Sequence, residues 1–225
     1  LATDRINSYG VYVFKNSSNN VVFNNTITTL GTSGHGIWLL GNANNNNITN
    51  NTITTSGIGG IGVYLFASSN NNNVYSNTIT TSGTISYGVY LQEISNNNNV
   101  YSNTIMTSGG NGYGVFLQSV FNNNVYSNTI TTSGSAGVGV YLQEISNNSV
   151  YSNTITTNKT ISYGIYLYYN VYNNTIYDNN ITTKNMTRSY GIYLSDEVVN
   201  NTFYRNSISS LAIGVLLNGT DTSGN

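Results

Sequence analysis

Apolar and polar residues alternate along this chain in short blocks with a period of two. In the segment Gly88-Val89-Tyr90-Leu91-Gln92 the alternation turns Val89 and Leu91 to one side and Tyr90 to the other. From Val100 to Ile105, Val100 and Ile105 fall on the core side, and Tyr101 and Thr104 on the solvent side. Such alternation marks half-buried strands. No stretch holds a helical period, and Gly, Ser and Asn separate the blocks as turn residues do.

The blocks recur. A Gly followed by Val or Ile, an aromatic and an aliphatic residue stands at Gly10, Gly36, Gly62, Gly88, Gly114, Gly139, Gly164, Gly191 and, in degenerate form, Gly214, at intervals of about 26 residues. A second block, Val-Tyr-Ser-Asn-Thr-Ile in its clearest copies, follows each time. One such unit cannot bury its apolar side alone, but units stacked in register can. The expected architecture is a single all-β domain over residues 1–225, a parallel β-helix of about eight to nine coils, with neighbouring strands roughly 4.8 Å apart.

Aligning the copies gives columns. Two are Asn in every coil, from Asn20 to Asn201 and from Asn25 to Asn206. Asn tolerates left-handed backbone at turns, and stacked amides bond along a ladder. An aromatic column runs through Tyr12, Trp38, Tyr64, Tyr90, Phe116, Tyr141, Tyr166 and Tyr193, and a second from Phe23 to Tyr204. Both are expected to face outward, as a stabilising ring ladder, an interface with a partner subunit, or a contact for flat sugar faces. Thr pairs such as Thr26 with Thr28, Thr52 with Thr54 and Thr78 with Thr80 bracket an inward Ile. This Thr-x-Thr array resembles the face of solenoid ice-binding proteins, broken here at Met106, Asn180, Ser207 and Ser209.

The phrases YGVYLQEISNNNNVYSNTI and YGIYLYYNVYNNTIYDNNI resemble the right-handed parallel β-helix repeats of the NosD-like and pectate-lyase-like superfamily. The resemblance covers nearly the whole chain. It implies a single-stranded right-handed solenoid of the kind found in secreted bacterial and archaeal surface proteins, phage tail proteins and polysaccharide-degrading enzymes. For NosD itself it implies a link with copper-site maturation in the periplasm.

Composition narrows the chemistry. Charged residues make up 6% of the chain, with Lys+Arg 6, Asp+Glu 7 and one His, and Cys and Pro are absent. Nucleic-acid binding is not expected without a basic surface. The apolar runs are too short for membrane insertion by a helix. Transition metals need clustered His, Cys or Met, whereas His35, Met106 and Met186 lie far apart. His35 stands in a column filled mostly by Tyr, so a surface or corner position is expected. Glu93 and Glu144 share a column two coils apart, with Ser119 between them and no basic partner in the pattern. The Asp clusters and basic residue that the superfamily's lyases use are missing. No catalytic, cofactor or metal site is therefore expected, and polysaccharide binding or cleavage remains an alternative.

The abundance of Asn, 43 residues, also creates eleven Asn-x-Ser/Thr sequons, at Asn16, Asn24, Asn47, Asn50, Asn147, Asn158, Asn173, Asn180, Asn185, Asn200 and Asn218. They make N-glycosylation an expectation for an extracellular or cell-surface protein, with Asn158 and Asn185 the foremost candidates. Residues 1–8 hold no amphipathic helix and residues 218–225 read as a short polar tail, so neither end looks capped. The chain begins at Leu1, which suits a processed protein or a piece of a longer stack. These features predict an extracellular structural protein that stacks head to tail on copies of itself as a filament, sheath or surface layer. The alternatives are ice binding through the Thr face and carbohydrate binding or cleavage.

Overall fold

The computed structural model describes residues 1–185, 187–218 and 222–225. Each coil contains three strands, as in Tyr87–Gln92, Asn99–Tyr101 and Thr104–Thr107. Every strand pairs in parallel with its counterparts one coil away: Val89 with Val63 and Val115, Val100 with Val74 and Val125, Ile105 with Ile79 and Ile130. Among the described residues this gives three parallel sheets and no helix. A ten-stranded sheet holds the long strands, an eight-stranded sheet the short strands, and a nine-stranded sheet the Thr strands. The expected β-helix of eight to nine coils is the observed fold.

The alternation survives because a solenoid has one interior. Parallel sheets covered on both faces read as continuous apolar runs, whereas here the aliphatic core covers only the inner side of each strand. Val89, Leu91, Val100 and Ile105 are fully buried, and their counterparts form four aliphatic columns through the stack. Residues such as Thr81 and Thr107 form a fifth inward column.

The repeated Gly is required by space. A Cβ on Gly88 would lie 2.3 Å from Ile105 Cγ2 and 2.6 Å from the Gly114 carbonyl oxygen. The chain passes so close to the Ile of its own coil and to the Gly carbonyl of the next that only hydrogen fits there. Gly88 also falls between Tyr87 and Val89 without a register partner of its own. That irregularity lets Tyr87 point outward while Val89 points in.

The two Asn columns turn the corners on either side of the short strands. The Asn98 Oδ1 accepts the backbone N–H of Asn72 at 2.8 Å and its Nδ2–H at 3.2 Å. In the second column, Asn77 Nδ2 also donates to the Ile48 carbonyl of the preceding coil at 2.8 Å. Buried amides are thereby satisfied along the stack, as buried polar groups require. The left-handed backbone is displaced from its expected place. It falls on the residue before each ladder Asn: Asn71, Asn97 and Asn122 at one corner, Ser76, Ser102 and Ser127 at the other. The ladder Asn supplies its amide, and the preceding residue supplies the bend.

The C-terminal segment also departs from expectation. Asn225 is part of the ladder, its Oδ1 accepting the Asn201 backbone N–H at 2.7 Å and the Asn201 Nδ2–H at 3.1 Å. Residues 222–225 thus extend the first Asn column by a rung.

Candidate binding faces

Three outer faces follow from the three sheets, and each has its own chemistry. On the long-strand sheet the Tyr12-to-Tyr193 column points outward as expected. Its rings stack nearly parallel: Tyr64 on Tyr90 at 5.0 Å, Tyr90 on Phe116 at 4.7 Å, Phe116 on Tyr141 at 4.7 Å and Tyr141 on Tyr166 at 4.9 Å. A corner column leans on them edge-on, as Tyr87 does on Tyr90 and Phe116. The expected exposed stripe is corrected at its centre. Tyr90, Phe116 and Tyr141 are 7%, 5% and 9% exposed, covered by one another and by the corner rings, whereas Tyr12 at the N-terminal end is 43% exposed. Trp38, Tyr64, Tyr166 and Tyr193 are half-buried. The phenols of Tyr64 and Tyr90 donate to the Oε1 atoms of Gln92 and Gln118. Burial pushes the Tyr87 phenol up to about 12 and raises those of Tyr64, Tyr90, Tyr141 and Tyr166 as well.

His35 belongs to the corner column and is buried, not on the surface. It stacks on Tyr9 at 5.5 Å and meets Trp38 and Tyr64 edge-on, and its Nδ1 accepts the Ile61 backbone N–H at 3.3 Å. Burial pushes its imidazole down to about 4. The neutral Nε2–H tautomer suits this hydrogen bond.

On the short-strand sheet, Tyr75, Tyr101, Tyr126, Tyr151, Tyr177 and Tyr204 form a half-exposed stack at 4.8–4.9 Å. Beside it runs a third amide ladder from Asn47 to Asn124, in which Asn73, Asn99 and Asn124 each donate Nδ2–H to the Oδ1 one coil earlier at 3.0 Å. Arg205 lies over the Tyr204 ring and forms a two-point ion pair with Asp178 at 2.7 Å. That pair holds the Asp178 carboxyl below the usual carboxylate range.

On the Thr sheet, Thr52, Thr78 and Thr104 align in one outer column, and Thr54, Thr80 and Thr131 in the next. Met106 interrupts the second column, 41% exposed. Asn180, Ser207 and Ser209 replace Thr in the last coils, as expected. The neighbouring turn residues from Asn50 to Ser152 carry no charge, being Asn or Ser.

The acidic residues remain dispersed. Glu93 is exposed, and Glu144 accepts the Ser119 hydroxyl at 3.0 Å. Among the described residues no group of three His, Cys, Asp or Glu could hold a metal ion. Met186, Asp221 and the sequon residues Gly219 and Thr220 lie outside the described residues. Six of the eleven sequon asparagines, Asn16, Asn24, Asn50, Asn147, Asn173 and Asn200, occupy left-handed turn positions.

Residues 3–141 match the family described as right handed beta helix region, and residues 79–223 match that described as periplasmic copper-binding protein (NosD). No curated protein matches the chain. The solved periplasmic alginate epimerase AlgG is similar, with a TM-score of 0.56 and 15% identity over 86% of this chain and 51% of its own. A mutant of that enzyme gives 0.60 and 15% over 92% and 61%. A chain of the Vag8–C1 inhibitor complex gives 0.56 and 15% over 99% and 72%. The chain thus spans between half and two thirds of the epimerase, and these likenesses concern the fold. The copper of the NosD description finds no fitting ligand set among the described residues, because the one His is buried with Nδ1 already bonded and Cys is absent. Each of the two family matches covers more than half of the sequence, and the chain belongs to the right-handed β-helix and NosD families.

Proposed function

We propose that this chain is an extracytoplasmic structural β-helix, without a catalytic role, that associates with further copies of itself. The carrying observation is the outer surface: uncharged, periodic columns run the length of the stack, and aromatic rings fill the long-strand face. Interfaces favour Tyr, Trp and Phe and exclude charge from their centres. The periplasmic description of the NosD family, and the periplasmic epimerase among the similar folds, support a location beyond the cytoplasm. A cell-surface filament, sheath or layer is the finer form of this reading.

Head-to-tail stacking is supported by the sameness of every coil-to-coil contact. At the C-terminal end an apolar hollow of about 400 Å³ opens between Leu194, Phe203, Ile208, Val215 and Leu217. A further coil laid there, from a second copy or from a continuation of the same chain, would meet the same columns that close every other coil. Sedimentation and negative-stain microscopy of the native protein across concentrations provide the test. Polymers that grow with concentration are expected, and discrete monomers at every concentration overturn self-association. A non-catalytic role fails if the protein cleaves an acidic polysaccharide and Glu93→Gln reduces that cleavage.

A second reading rests on the Thr sheet. Two registered hydroxyl columns, one of them interrupted at Met106, form a lattice that a periodic solid such as ice could match. It predicts thermal hysteresis that Thr54→Tyr or Thr80→Tyr abolishes. Absence of hysteresis in the unmodified protein removes the reading.

A further inference from the structure

Five of the eleven sequons are by-products of the corners. At Asn24, Asn50, Asn147, Asn173 and Asn200 the sequon begins on the left-handed bend, its middle residue is a ladder Asn, and its Ser or Thr opens the next strand. Asn174 shows what the middle position involves. Its backbone N–H and Nδ2 both donate to Asn201 Oδ1 at 2.9 Å, and its own Oδ1 accepts the Asn148 backbone N–H at 2.8 Å. Lifting Asn173 into a foreign active site would strip that amide from the stack. The sequons at Asn47 and Asn180 are held more firmly, because their middle residues, Ile48 and Ile181, are fully buried core.

The remaining sequons differ in what their amides and hydroxyls already do. Behind Asn16, the Ser18 hydroxyl accepts the Asn44 N–H at 3.3 Å. Asn158 has a buried Oδ1 with no partner. Asn218 commits its Nδ2 to the Tyr193 hydroxyl at 2.8 Å. Asn185 stands apart. The turn between Asn180–Thr183 and Tyr190–Ser195 has six residues where its counterparts in the preceding coils have five, so the one-residue insertion of this coil lies beside the sequon. Asn185 Oδ1 accepts the Thr187 backbone N–H at 2.8 Å, so its oxygen is the engaged atom and Nδ2 is the nitrogen left for chemistry. Thr187 is exposed, and Lys184 and Arg188 flank the segment.

We infer that Asn185 is the N-glycan acceptor of the folded chain, modified by a transferase that uses a glycosyl phosphate or diphosphate donor. This rests on the extracytoplasmic reading above. In the transfer, Asn185 Nδ2 attacks the anomeric carbon. The N–C bond forms as the C–O bond to phosphate breaks, the phosphate departs with the bonding pair, and the amide proton passes to a base of the transferase. The corner sequons stay bare because the fold holds them before the transferase meets them.

Site-resolved mass spectrometry of the native protein, with cell fractionation in parallel, tests the inference. Glycan on Asn185 in most molecules is expected, with the corner sites at Asn147, Asn173 and Asn200 at least tenfold less occupied. Thr187→Ala is expected to abolish the Asn185 glycan without altering the β circular dichroism signal. Equal occupancy across sequons overturns the inference, as does a bare Asn185 on a protein found outside the cytoplasm; the extracytoplasmic reading survives either result. Confinement to the cytoplasm overturns both.

Discussion

The Asn103 Oδ1 accepts two hydrogen bonds from a single residue, the backbone N–H and the Nδ2–H of Asn77, each at 3.0 Å. Its own Nδ2 donates to the Val74 carbonyl at 2.8 Å and to Asn128 Oδ1 at 3.0 Å. One side chain therefore ties together three neighbouring coils.

Asn103→Ala leaves these buried groups without partners, and an unsatisfied buried group costs about 1–3 kcal/mol. A loss of about 3 kcal/mol or more in denaturant unfolding is expected. Asn103→Asp, almost the same shape, is expected to be worse. Its second oxygen faces the Val74 carbonyl and the Asn128 Oδ1, and a buried charge goes without a counterion.

The inward Thr column gives the opposite expectation. The Thr55, Thr81, Thr107 and Thr132 hydroxyls are buried with no partner. Replacing an unsatisfied hydroxyl with a methyl of similar size removes a desolvation cost. Thr81→Val is expected to be neutral or to stabilise by up to about 1 kcal/mol, measured by the same unfolding experiment. A loss greater than that would show that an ordered water serves the hydroxyl.

Gly114→Ala places a Cβ 2.3 Å from Ile130 Cγ2 and 2.6 Å from the Gly139 carbonyl oxygen. Overpacking of this kind costs about 1–3 kcal/mol. The same substitution at Gly110, whose Cβ would meet nothing nearer than 3.8 Å, is the control and is expected to change stability little.

His35 predicts acid sensitivity. Burial favours its neutral form, so the folded imidazole titrates at about 4 and the unfolded one near 6.5. The contribution is complete above the unfolded value and is lost as pH falls from about 6.5 towards 4, to about 3 kcal/mol in all. Protonation also removes the Nδ1 acceptor from the Ile61 N–H. Urea unfolding between pH 7 and 4, compared with His35→Tyr, isolates the effect. Identical slopes for the two proteins would refute it.

Much of this was legible in the sequence. Period-two alternation identified strands, and the recurrence of Gly, Val and Ile at about 26 residues identified stacked coils. The bend positions were not legible from turn preference alone, because two consecutive Asn stand at many corners. A comparison of columns holds the signal: Ser76, Ser102, Asp178 and Arg205 precede ladder Asn residues that never vary. The unvarying residue is the one whose amide is needed, and the varying one need only tolerate a positive φ. The burial of Tyr90 and Phe116 was missed for another reason. Alternation tells which side a ring faces, but not that rings a coil apart cover each other. His35 stands in the corner column that its alignment indicated, but its burial was missed by the same limitation, since its cover comes from Tyr9, Trp38 and Tyr64.

The slips between coils have a consequence for how such a chain evolves. Gly114 and Gly139 stand one residue closer than Gly88 and Gly114, yet Val115 still pairs with Val140 and Ile130 with Ile105. The turns absorb the missing residue and the columns do not move. Each coil touches only its immediate neighbours, so an in-frame duplication of one coil adds about 4.8 Å of rod without asking any other residue to change. Rod length is thus a property that recombination can adjust separately from the stability of each coil-to-coil contact.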